Sequence, residues 1–285
     1  MLHADLSLAR RVETAEASLT LACVDAARRA ESSPEAVALR VAGGCAVFIA
    51  HDSVVNKVIG VGLNEPVTDS DLDAVETLFR RKGAPVQLEL CPLADHSLPA
   101  RLSQRGYVLR GFETALAGRI GETNRGGDLA GDRISVERVS IENERRWARL
   151  LSAGFTVPDG CSVEERALEQ AALDHLEAQV LTFCSTDRLE CYLAFLDDEP
   201  VGGGGMRMAH GVALLFGLTT LASARRRGVQ SALLQRLLAR ACEAGCDLAI
   251  ASTLPGSTSQ RNIERVGLRA LYTRAILVKE PGEKK

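Results

Sequence analysis

The chain has 285 residues, 46% of them hydrophobic and 25% charged, with a formal net charge of −3 at pH 7. That length admits one large domain or two of ordinary size. Mild acidity argues against a nucleic-acid binder, which carries a strongly basic footprint, and the apolar runs fall short of the ~20 residues of a membrane helix.

The opening stretch MLHADLSLARRVETAEASL reads as an amphipathic helix with interspersed charges. It lacks the apolar core and small-residue cleavage site of a signal peptide, so a cytoplasmic protein is expected. Further on, DSDLDAVETLFRRK (69–82) has helical periodicity and stops at Gly83. An alternating strand PVQLELCP follows, then a short helix around SLPARLSQR, Gly106, and the strand YVLRGFETALA. The polar, glycine-rich stretch from Arg119 to Arg133 is the best linker in the chain. It separates an expected first domain, 1–118, from a second, 132–285, with 119–131 between them.

The second half begins with a strand ISVERV and two helices, IENERRWARLLSAG and SVEERALEQAALDHLEAQ. Consecutive strands then run through CYLAFLDDEPVGGGGMRMAHGVALLFGLTTL, with turns at Asp197–Pro200 and near His210–Gly211. A helix from Val229 to Ala244 stops at Gly245; the strand CDLAIAST, a short helix around TSQRNIERV, Gly267 and the strand LRALYTRAILVK complete the order β-α-α-β-β-β-α-β-α-β. Gly83 and Gly245, like Gly106 and Gly267, hold matching places in the two halves. This is an internal duplication in pattern. The fold class is α/β, with crossover helices covering a mixed sheet.

The eight cysteines are scattered, without a Cys-x-x-Cys pair. Cys242 and Cys246 share a helix face, yet nothing nearby completes a zinc set, so buried apolar thiols are expected and no metal site. Gly202 to Gly205 has the look of a phosphate loop, but between strand residues it fits close backbone approach better. Trp147 is expected in the core. The segment Gly154 to Glu165 is either a rim of a substrate pocket or a plain connector.

Between the strand GVALLFGLTTL and the helix from Val229 lies ASARRRG. A glycine turn at a helix start points several N–H groups outward, and the helix dipole adds positive potential there. Arginines beside such a nest have planar forks suited to phosphate oxygens. Val229, Leu233, Leu237 and Ala241 form one apolar stripe that would seat the helix and fix the direction of its start. The arrangement fits a diphosphate. It is not a nucleotide P-loop, because no Gly-Lys-[Ser/Thr] is present.

The run Arg225-Arg226-Arg227-Gly228-Val229-Gln230 resembles the pyrophosphate loop, Arg/Gln-x-x-Gly-x-Gly/Ala, of the GCN5-related N-acetyltransferase (GNAT) superfamily. About Arg133 to Lys279 resembles that fold in its strand order, and PGSTSQRNIERVGL resembles the family's fourth helix and closing glycine. The first half resembles a degenerate copy, so the whole resembles a tandem GNAT protein.

The resemblance implies an acetyl-CoA-dependent N-acetyltransferase acting on a primary amine of a small molecule. Leu218, Thr219, Thr220, Arg225, Arg226, Arg227, Gly228, Val229, Gln230, Ser231 and Asn262 would hold the acetyl-CoA, and the acyl carbonyl would meet a backbone N–H within Gly217 to Leu221. Two departures stand out. Gln230 replaces the usual Gly or Ala, and Ile263 stands where many members have a tyrosine acid, leaving Tyr272 as the candidate. The family's glutamate base has no counterpart on the preceding strand. Glu190, Asp197, Asp198 and Glu199 are candidates by acidity alone, and His210 is more naturally a hairpin residue. A non-catalytic acyl-CoA-binding or sensing protein is the alternative. No nucleic acid or membrane partner is implied, and a homodimer is allowed.

In the first half the corresponding turn is NEPVTDSD, with Glu65, Asp69 and Asp71 where the second half has arginines and glycine. Acidic residues there cap a helix and would repel a diphosphate. One donor per chain is therefore expected.

Overall fold

The computed structural model describes residues 2–31, 33–123, 133–156 and 163–281. The helix α1 (Leu6–Arg29) starts at Asp5, whose carboxylate accepts the Leu8 N–H at 2.7 Å. Strands β1 (Val37–Val41), β2 (Gly44–Phe48) and β3 (Lys57–Ile59) follow, then α2 (Asp69–Lys82), β4 (Val86–Leu90), α3 (Leu98–Gln104) and β5 (Val108–Arg119). The second half runs β6 (Ile134–Arg138), α4 (Glu144–Thr156), α5 (Val163–Cys184), β7 (Leu189–Leu196), β8 (Glu199–Ala209) and β9 (Val212–Thr220). It ends with α6 (Val229–Glu243), β10 (Leu248–Thr253), α7 (Thr258–Arg265) and β11 (Arg269–Lys279). This is the order expected for the second half. Strands β1 to β3 come in addition to the expected elements: β2 is buried at every position, so it lacks alternation, and β3 is three residues long.

The chain forms two compact units. Among the described residues, the first takes those within 1–116, 253–255 and 270–285, and the second takes those within 117–252 and 256–269. Spatial grouping therefore departs from the contiguous block 132–285. The last strand, β11, lies in the first unit, antiparallel to β4, with Ala275 opposite Leu90 and Lys279 opposite Val86. Periodicity marks β11 as a strand but says nothing about its neighbour, because any strand edge satisfies the same backbone groups. Of the expected linker, residues 124–132 lie outside the described residues; Ile120 N–H donates to the Asp247 carbonyl at 3.0 Å.

Within the first unit the strand order is β1-β2-β3-β4-β11-β5, and within the second it is β6-β7-β8-β9-β10. Each contains a parallel step: Val58 of β3 opposite Leu88 of β4, and Val212 of β9 opposite Leu248 of β10. A parallel step needs a crossover, and α2 and α6 supply it. The internal duplication is thus a duplication of the strand–helix–strand crossover.

In the second unit, successive residues of β7 and β8 face opposite sides. Cys191 and Leu193 join Trp147 and Leu151 of α4 in one core cluster. Ala194 and Leu196 join Val229 of α6 in another. Along α6, Val229, Leu233, Leu237 and Ala241 are all buried, with Leu234 and Leu238 beside them. Each fully buried leucine contributes about 2 kcal/mol, so the sheet holds the helix firmly.

The four glycines of β8 make that seating close. A Cβ on Gly202 would lie 2.8 Å from Val229 Cγ1, and one on Gly203 would lie 2.8 Å from Leu151 Cδ1. Gly204 and Gly205 would meet Leu218 and Phe216 as tightly. The run is a strand packed under two helices, and the buried Trp147 indole N–H donates to the Gly204 carbonyl at 3.1 Å. The seven described cysteines are free thiols. Cys246 lies beyond the end of α6, so it does not continue the helix face of Cys242.

Candidate functional site

Chain direction changes abruptly between β9 and α6. A short 3-10 turn at Ala222–Ala224 leads into Arg225, which is extended, then Arg226 at φ +63° and Gly228 at φ +87°. The αL geometry of Gly228 is strained for any residue with a Cβ. Gly228 is the N-cap of α6 and has no side chain to accept from the N–H groups of the first turn. Those donors and the helix dipole give the turn an attraction for anions.

Two contacts hold α6 further along its length. Glu190 of β7 accepts from Arg240 Nε at 3.1 Å and from Nη2 at 3.0 Å, and it also accepts the Tyr192 hydroxyl at 2.7 Å. Arg236, one turn earlier, lies over the Tyr192 ring at 5.8 Å. Burial works to raise the Glu190 pKa, but the hydrogen bonds from Arg240 and Tyr192 outweigh it and hold the carboxyl below its ordinary value. Glu190 is thus a clamp kept ionised, which makes it a poor proton acceptor.

Strand β9 carries a bulge just before the turn. Gly203 pairs with Thr219 and Gly205 with Phe216, so Gly204 faces both Gly217 and Leu218. A bulge leaves its extra residue out of the ladder and re-aims the strand. Close by, α4 brings its own backbone in: a Cβ on Gly154 would overlap the Thr219 hydroxyl oxygen.

Bulge, turn and helix start open onto a cleft of about 990 Å³ within the second unit. Leu218, Thr219 and Thr220 line it from β9, Arg225, Arg226 and Gly228 from the turn, and Val229, Gln230 and Ser231 from α6. Asn262 lines it from α7. Of the expected donor-binding residues, Arg227 is the one outside this lining; its charge acts on Asp197, which Arg133 also grips at 2.6 Å through Nε. Gln230, the departure from the family pattern, has a partner: its side-chain oxygen accepts from Asn262 Nδ2.

The sequence reading missed four cleft residues on α7: Thr258, Ser259, Arg261 and Arg265. The signal was present, since Arg261 and Arg265 are spaced i, i+4 in a stretch already read as a helix. Of the segment Gly154 to Glu165, Gly154 lines the cleft, and residues 157–162 lie outside the described ones.

Tyr272 requires a correction. It lies on β11 in the first unit, buried, and its hydroxyl donates to Glu13 Oε1 at 2.7 Å. The same carboxylate takes Arg274 Nε at 2.7 Å. Burial and the Glu13 charge push the phenol well above its ordinary pKa. Tyr272 is absent from the cleft lining and holds a buried ion pair instead of serving as an acid. Asp197 and Asp198 both have positive φ in the β7–β8 turn, as does His210 in the β8–β9 turn, so these are hairpin residues. Among the described residues, the cleft lining contains no carboxylate, histidine, tyrosine or cysteine. Among the described residues no group of three or more His, Cys, Asp or Glu is placed to hold a metal, and no helix is long and apolar enough to cross a membrane.

The matching turn of the first unit is closed. Thr68 caps α2 in a reciprocal box: its hydroxyl accepts from Asp71 N–H at 3.2 Å, and its own N–H donates to Asp71 Oδ2 at 2.8 Å. Asp69 pairs with Arg101 at 2.9 Å and Arg105 at 3.3 Å, and hydrogen bonding from Arg101 holds its carboxyl below the ordinary value.

Residues 157–267 match the sequence profile of the Acetyltransferase (GNAT) family. No curated protein is significantly similar in sequence. Among solved structures, the chain is similar to a GCN5-related N-acetyltransferase from Kribbella flavida, with a TM-score of 0.63 and 18% identity over 92% of this chain and 96% of that one. It is also similar to a tandem GNAT protein from the clavulanic acid biosynthesis pathway, with a TM-score of 0.54 and 13% identity over 84% and 74% of the two chains. A GCN5-related N-acetyltransferase from Sphaerobacter thermophilus gives 0.50 and 18% over 70% and 60%. Residues 157–267 thus resemble the GNAT family in sequence, and most of the chain shares the fold of solved GNAT structures, a tandem GNAT protein among them.

Proposed function

We propose that this protein transfers the acetyl group of acetyl-CoA to an amine of a small molecule, using the second unit alone to hold the donor. The observation that carries the reading is the cleft at the start of α6, where an uncapped helix N-terminus, Arg225 and Arg226 face one space of about 990 Å³. The diphosphate of the donor would sit on the first-turn N–H groups, with the arginine forks on its outer oxygens. The thioester arm would then run toward the β9 bulge. A backbone N–H near Leu218 would face the acyl oxygen and stabilise the negative charge that develops on it during attack.

The reaction joins the amine nitrogen to the acyl carbon and breaks the carbon–sulfur bond. The amine gives up a proton, and the thiolate leaves and takes one up. With no acid or base among the described cleft residues, both protons would travel through solvent, and the contribution of those residues would be positioning and oxyanion stabilisation. The same lack supports a second reading, a protein that binds or senses acyl-CoA without turning it over.

Free-thiol release from acetyl-CoA over a panel of amines separates the two. Release that depends on one amine class and disappears in Gly228→Val supports the transferase. Saturable acetyl-CoA binding without thiol release for any amine supports the sensor. Failure to bind acetyl-CoA would sink both.

A further inference from the structure

The cleft holds more cationic charge than a diphosphate requires. Arg225 and Arg226 stand beside the α6 start, while Arg261 and Arg265 line the cleft from α7. Both α7 arginines face the cleft one turn apart on one side of the helix. Arg261 Nη2 donates to Thr258 Oγ1 at 3.1 Å, and Arg265 Nη1 donates to Asn262 Oδ1 at 3.0 Å. These partners are neutral. Among the described residues no carboxylate pairs with either guanidinium.

The α7 N-terminus is capped by its own neighbours. Ser257 caps it by accepting from Gln260 N–H at 3.1 Å, and Gln260 Oε1 accepts from Gly256 N–H at 2.7 Å. On this wall the two arginine forks are the charged donors available to an anion. Each fork is steered by one neutral hydrogen bond and keeps further N–H donors for a ligand. Because Asn262 also donates to Gln230, the orientation of Arg265 is tied to the first turn of α6.

We infer that Arg261 and Arg265 form a separate phosphomonoester subsite that reads the 3′-phosphate on the ribose of the donor, so that the protein distinguishes CoA from 3′-dephospho-CoA. The inference rests on the donor reading above and adds a specificity it does not contain. A phosphomonoester carries about −1.5 to −2 charge near pH 7 and offers three acceptor oxygens, which suits two guanidinium forks. The diphosphate has its own donors in the first turn of α6, so the two anions do not compete for the same groups.

Titration calorimetry with CoA and with 3′-dephospho-CoA, at low and at moderate salt, tests this. Wild type is expected to bind CoA at least about tenfold more tightly, the scale of one or two charge-assisted hydrogen bonds. The double variant Arg261→Ala/Arg265→Ala should cut that preference to about twofold or less by losing CoA affinity while keeping most of its affinity for 3′-dephospho-CoA. Arg261→Lys should restore part of the preference, since it keeps charge but not the fork. The wild-type preference should also shrink as salt rises. Equal binding of the two molecules by wild type overturns the inference while leaving the donor reading intact. Equal weakening of both in the double variant overturns it too, because the arginines would then supply only general attraction. Binding of neither molecule overturns the donor reading and this inference together.

Discussion

Gln230 in the first turn of α6 and Asn262 on α7 are joined by a side-chain hydrogen bond, and both line the same cleft. The residue that departs from the family loop is therefore a strut between two walls of the site. A glycine or alanine at that position would leave Asn262 without this partner. In a double-mutant cycle of Gln230→Ala and Asn262→Ala, measured by chemical denaturation, a coupling of about 1 kcal/mol is expected. Strict additivity would show that the strut carries no energy.

Tyr272 and Glu13 lead to a prediction opposite to the one the sequence encouraged. Tyr272→Phe removes a donor from a carboxylate that is 1% exposed, and it should lower stability by about 1–2 kcal/mol. Thiol release at a temperature where the variant is folded should match wild type. A variant of normal stability with lost turnover would return Tyr272 to the chemistry.

Glu190 and Arg240 form the clamp between β7 and α6. Arg240→Met leaves the Glu190 carboxylate, 8% exposed, without its bidentate partner and should cost about 2–4 kcal/mol at pH 7. The folded pKa of Glu190 is held below its ordinary value of 4.5, so the pair's stabilisation is present above that pH and fades as pH falls. The difference between variant and wild type, read from denaturant midpoints, should therefore narrow toward pH 3. A gap that stays constant with pH would show that packing, not charge, is what the substitution removes.

Glu113 sits in the buried charge cluster of the first unit, where Arg274 of β11 donates to it at 2.9 Å. Glu16 of α1, Glu89 of β4 and Lys57 of β3 also act on it. Burial, with repulsion from Glu89, raises its carboxyl from 4.5 to about 7. The folded chain keeps a proton that the unfolded chain loses across that interval. This contribution is complete below pH 4.5 and is lost as pH rises through 7. Glu113→Gln, a permanent mimic of the protonated acid, should gain stability relative to wild type by on the order of 2–3 kcal/mol between pH 5 and pH 8. Parallel stability curves for the two proteins would contradict this.

How far the sequence could be read varies with the kind of interaction. The order of elements in the second half was legible because α4 and α6 have apolar stripes and most strands lie between turn residues. The turn Arg225 to Gly228 was legible because arginines beside a glycine at a helix start have one evident electrostatic use. The placement of β11 was not legible, since backbone pairing is chemically the same at any sheet edge. Nor was the fate of Tyr272: its neighbour Glu13 is 259 residues away in sequence, and nothing local hints at the buried partner. Arg261 and Arg265 are legible as a basic pair one turn apart on a helix, but nothing local in the sequence says that this side of α7 meets the cleft.

The central claim is that the donor is held once per chain, by the open α6 turn and not by its closed counterpart at α2. Native mass spectrometry of the full chain with excess acetyl-CoA measures this directly. Thr68, Asp69 and Asp71 fill the α2 turn with a capping box and ion pairs, so the Thr68 and Asp71 N–H groups are taken and its carboxylates repel phosphate. Arg225→Glu and Gly228→Val should each abolish the retained molecule, the first by charge reversal and the second by strain at φ +87°. The account predicts one acetyl-CoA per wild-type chain and none in either variant. Two retained molecules per chain, or one that survives both substitutions, would contradict it.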